Sequence, residues 1–140
     1  MILKFFNKNN EKSDTNSESI NIACLLIHAA KIDENYTSEE KEMIKKTVKK
    51  LYPDLDNLDD VVSKAEQKES DSNHIQEFTR DVKVLSTENK IIIIETLWRI
   101  ILSDGKSDIY ENNLMRRLAG LLYLDDKVVG ETKIKVLNNK

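Results

Sequence analysis

The segment Ile91–Leu102, reading IIIIETLWRIIL, constrains this chain more than any other. Twelve residues carry only two charges, Glu95 and Arg99. Four consecutive isoleucines suit a strand, but the length of the segment and the spacing of Glu95 and Arg99, one helical turn apart, favour a helix. It is apolar almost all round, from about Thr87 to Ser103. Such a helix has to sit inside its domain, and it is far short of the roughly 20 apolar residues that span a membrane.

The rest of the chain supplies helices to surround it. Only three glycines and one proline occur in 140 residues, and Lys, Glu, Leu and Ile are abundant. That balance favours an all-α domain. Residues 18–32, ESINIACLLIHAAKI, place Ile22, Ala23, Leu26, Ala29 and Ala30 at helical spacing. Thr37 and Glu40 form a capping-box pattern ahead of a stripe of Met43, Ile44, Thr47, Val48 and Leu51, which Pro53 ends. DNLDDVVSKAEQ predicts a third helix with Leu58, Val61, Val62 and Ala65 inward. HIQEFTRDVKVL predicts a fourth with Ile75, Phe78, Val82 and Leu85 inward. A sixth helix follows Asp108, where Gly120 is expected to permit close packing, and a seventh begins near Asp125. Residues 1–17 read as a flexible leader and residues 18–140 as the domain. MILKFF, within the leader, is open to docking, disorder or a membrane contact.

Sliding the chain on itself by 71 residues keeps acid on acid and core on core. Asp33 falls on Asp104, Glu40 on Glu111, Leu51-Tyr52 on Leu122-Tyr123 and Asp54 on Asp125. Lys45-Lys46 falls on Arg116-Arg117. The expectation is a duplicated helix–loop–helix unit: about seven helices in two pseudo-symmetric halves around a buried central helix.

The acids Asp33, Glu40, Asp104, Asp108 and Glu111 admit two readings. Oxygen ligands gathered on short loops suit a hard cation such as Ca2+ or Mg2+. Thr37-x-x-Glu40 and Asp108-x-x-Glu111 equally fit capping boxes, each worth roughly 1 kcal/mol. The segment DGKSDIYE is too short for an EF-hand loop, which needs twelve residues.

AAKIDENYTSEEKEMI and LSDGKSDIYENNLMRRLAGLL resemble the two motif regions of the tellurite-resistance TerB family, and the resemblance covers roughly residues 18–137. It implies an all-helical, internally pseudo-symmetric domain with an acidic surface for metal at Asp33, Glu40, Asp104, Asp108 and Glu111, and a basic surface elsewhere. It also implies a stress-associated role, protein partners and peripheral association with membranes. The first copy departs from the family's Asp-Gly turn, reading DEN.

Other chemistries find little footing. No His-x3-His or Cys–His spacing marks zinc, so His28 and His74 are expected to be packed or solvated. The single cysteine, Cys24, excludes an internal disulfide and lies in an apolar run. Trp98 belongs to the core. Lys45, Lys46, Arg116 and Arg117 form either a solvated face or a patch for an acidic partner or a lipid headgroup. Net charge −3 argues against nucleic acid, no Gly-rich phosphate loop is present, and no catalytic constellation emerges. The expectation is a cytoplasmic, non-enzymatic module.

Overall fold

The computed structural model describes residues 17–31, 36–72, 76–102 and 109–139. Among them every regular element is helical. In chain order these are α1 (17–31), α2 (Ser38–Leu51), α3 (Leu58–Asp71), the single turn α4 (Gln76–Thr79), a 3-10 turn (Val82–Val84), α5 (Thr87–Ile101), α6 (Ile109–Leu121) and α7 (Asp126–Asn138). The isoleucine run is helical and buried, with Ile93, Ile94, Leu97, Ile100 and Ile101 at 1% exposure or less. α5 packs on α2 and α7, α2 also on α3, and α6 on α7.

Helix starts follow local chemistry. At α2 the Thr37 hydroxyl accepts from the Glu40 amide (3.1 Å), and the Glu40 carboxylate accepts from the Thr37 amide (3.0 Å), so both halves of the capping box form. Ser86 caps α5 by accepting from the Asn89 amide (3.2 Å). Beyond α2, Lys49 Nζ donates to the carbonyls of Pro53 (2.7 Å) and Leu55 (2.8 Å), tying down the turn that Pro53 begins.

Two expectations are corrected. The predicted fourth helix is broken into α4 and the 3-10 turn. Thr79, Val82 and Val84 are β-branched and weak helix formers, and Asp81 accepts a 2.6 Å hydrogen bond from Asn21 of α1. The break still delivers Phe78 and Val82 to the core. α5 is buried as expected, and α1 is enclosed with it, Ile22 through Ile27, Ala29 and Ala30 all being buried. Gly120 meets no close neighbour; a Cβ there would have nothing within 4 Å. It lies on the outer side of α6, in the helix's closing turn.

That turn is a Schellman motif. The Leu124 amide donates to the Ala119 carbonyl (2.9 Å) and the Tyr123 amide to that of Gly120 (3.2 Å). Tyr123 is left-handed (φ 58°), a conformation normally taken by glycine.

Three buried positions of α2 recur on α6 71 residues on. Ile44, Thr47 and Val48 are buried on α2, and Met115, Leu118 and Ala119 on α6. The ends differ: Tyr52 is half-buried, Tyr123 exposed.

Candidate functional site

Of the five predicted acids, Asp33, Asp104 and Asp108 lie outside the described residues, as does the side chain of Glu111. Their segments are bounded by described helices. Residues 32–35 follow α1 and 103–108 follow α5, while Glu40 and Glu111 each occupy the third position of the helix that comes next. His74 also lies outside.

Glu40 is 5% exposed. Its Oε1 accepts from the Thr37 amide and stands 3.3 Å from the Thr37 hydroxyl. Tyr36 packs beside it. Burial foremost, then the Glu66 and Glu40 carboxylates, hold the Tyr36 hydroxyl well above its ordinary pKa. Lys41 reaches Glu66 on α3 (3.4 Å). The described residues include no group of three or more His, Cys, Asp or Glu placed to hold a metal. His28 and Lys31 instead share Glu69, at 3.6 and 2.8 Å.

The predicted basic residues divide. Lys45 pairs with Asp59 (2.8 Å) and Glu42 (3.4 Å), and the Lys45 ammonium holds the Asp59 carboxyl below its usual range. Lys46 and Lys50 are exposed and line, with Lys45, Lys49, Leu58 and Asp59, a shallow cleft of about 520 Å³. Arg116 and Arg117 are exposed on α6. A smaller cleft of about 140 Å³ lies between α2 and α5 above Thr47 and Thr96. Their hydroxyls meet at 2.7 Å, and Thr96 donates to the Ile92 carbonyl (3.1 Å). Thr47 is therefore the donor of the pair, and neither hydroxyl has a proton left for a ligand.

Sequence reasoning missed the polar cluster at the start of α1. Asn21 accepts from Lys68 (2.5 Å) and donates to Asp81 (2.6 Å). Tyr52 donates to Glu18 (2.5 Å). These partners lie 34 to 60 residues apart, and only the recurring Leu-Tyr at two helix ends pointed toward one of them. Cys24 and Trp98 are core residues as expected: the Cys24 thiol donates to the Ala65 carbonyl (3.3 Å) and the Trp98 indole to that of Val129 (3.1 Å).

A family model described as "Tellurite resistance protein TerB" matches residues 19–133. No curated protein and no solved structure matches the chain.

Proposed function

The chain belongs to the tellurite-resistance TerB family, and from that premise we propose that it is a stress-associated binding module, not an enzyme. Its two interhelical acidic segments take up a divalent cation or a basic partner surface. The observation that carries this reading is positional. Each segment leaves the C-terminus of a buried helix, α1 or α5, where the helix dipole favours positive charge. The donor set is all oxygen, which suits Ca2+ or Mg2+ and disfavours zinc or copper. Asp33, Asp104, Asp108 and Glu111 would hold the ion. Glu40 fits less well, because its Oε1 already serves the cap. A bound cation would screen the carboxylates and set the angle between the helix pairs.

Calorimetry and thermal shift with Ca2+ and Mg2+ test this. Heat and a raised melting temperature are expected for the wild type, both diminished in Asp33→Asn and Asp104→Asn. A silent wild type refutes cation binding.

A second reading, a metal-independent scaffold, is favoured by the occupied Glu40 carboxylate and by the exposed Lys46, Lys50, Arg116 and Arg117. Partner capture that survives chelation and Asp104→Asn would support it.

A further inference from the structure

We propose that the α6–α7 turn, the 3-10 turn and the start of α5 together form a docking notch for an acidic segment of a protein partner, with Tyr123, Lys83 and Lys90 as its contacts. Three observations converge there. Tyr123 is the sole non-glycine residue with positive φ among those described, yet the residue is 75% exposed, so burial does not offset the unfavourable backbone. Two ammoniums stand over that ring, Lys83 at 5.6 Å and Lys90 at 5.9 Å from its centroid. Lys90 is only 8% exposed: its stem is covered and its tip ends at Tyr123. Neither lysine has a carboxylate within ion-pair distance among the described residues, which leaves two cations converging on one aromatic.

The other half of the chain shows what is missing. At the 71-residue offset Tyr52 corresponds to Tyr123, and Ser19 at the start of α1 to Lys90 at the start of α5. Tyr52 leans on the beginning of α1 and gives its hydroxyl to the Glu18 carboxylate at 2.5 Å. Tyr123 leans on the beginning of α5, where Asn89 stands at the place of Glu18 and no carboxylate among the described residues pairs with it. Its hydroxyl has no hydrogen-bond partner among the described residues. A carboxylate brought by another protein would meet both ammoniums and the phenol.

Val84, 80% exposed beside Lys83, adds apolar surface, so an apolar side chain next to the carboxylate completes the match. Exposed Glu88, Asp125 and Asp126 stand within a few residues of these contacts in the chain and, with the net charge of −3, disfavour a polyanion such as nucleic acid. The notch therefore suits a segment with one or two carboxylates among apolar residues.

Fluorescence polarisation with short peptides alternating glutamate with leucine or phenylalanine tests this. It is run in EDTA, so that failure of the cation reading leaves it untouched. Binding is expected to weaken with salt and to perturb the backbone amides of Lys83, Val84, Lys90 and Tyr123 in NMR spectra. It should fall about tenfold or more in Tyr123→Asn and Lys90→Met. Asparagine tolerates the left-handed backbone and methionine keeps the covered stem, so both variants are expected to fold, as circular dichroism will check; Lys83→Ala, at a half-buried surface position, provides a third variant. Equal binding of glutamine-substituted peptides, undiminished binding by all three variants, perturbations confined to α2, or binding to anionic vesicles in place of the peptide would each overturn the proposal.

Discussion

Tyr52 and Thr37 each tie a helix end to one acidic partner, and each yields a measurable consequence. Burial first, then the hydrogen bond to Glu18 and the charges of Glu18 and Asp81, raises the Tyr52 hydroxyl above its ordinary 10.0. Tyr36 is raised in the same direction. Below pH 10 folded and unfolded chains both keep these protons, so their titration leaves stability unchanged with pH. Above it the unfolded chain releases protons that the folded chain retains, and stability falls as pH rises. Urea midpoints are expected to drop above about pH 10, less steeply in Tyr52→Phe. At neutral pH the same substitution should cost about 1 kcal/mol, because Glu18 loses its donor. Thr37→Ala removes one half of the α2 capping box and should likewise cost about 1 kcal/mol in denaturant unfolding. The capping box was legible in the sequence because all of its chemistry lies within four residues. The Tyr52–Glu18 bond, spanning 34 residues, was not.

At the scale of elements, α2 and α5 meet through the Thr47–Thr96 hydroxyl pair. Thr47→Val deprives Thr96 of its donor, and Thr96→Val strands the buried Thr47 hydroxyl. Each should cost about 1 kcal/mol, whereas the double variant should be nearly neutral. A double-mutant cycle by urea unfolding is thus expected to give a coupling energy of about 2 kcal/mol in magnitude. The helices that sequence periodicity marks out are those with strong stripes: α2, α3, α5 and α6 fall where Ile, Leu and Val recur. The break after α4 escaped because it depends on Thr79, Val82 and Val84, which are weak helix formers, and on Asp81, which is held from a distance by Asn21. The burial of α1 was legible in part: Ile22, Ala23, Leu26, Ala29 and Ala30 stand at helical spacing in the sequence, whereas Ser19 and Asn21, polar residues that the helix also encloses, carry no such signal. Gly120 misled because a glycine inside a helix reads as a contact, when here it stands on open surface in a closing turn.

For the whole molecule, the all-helical architecture was readable from the scarcity of glycine and proline and from the enclosed α5. The candidate cation site was readable only as a spacing of acids. Spacing along the chain says which carboxylates can share a loop; it does not say which are already spent on amides, as the Glu40 oxygen is. Both enclosed helices belong to one continuous core running from Ile22 to Val136. That continuity has a practical outcome, because the chain carries its own pair of reporters. Cys24 is sealed between α1 and α3, and Trp98 is wedged between α5 and α7. A thiol-reactive dye can label the first only when the N-terminal half parts, and indole emission shifts only when the C-terminal half does. With one shared core, labelling and fluorescence should return the same opening free energy from a single unmodified sample.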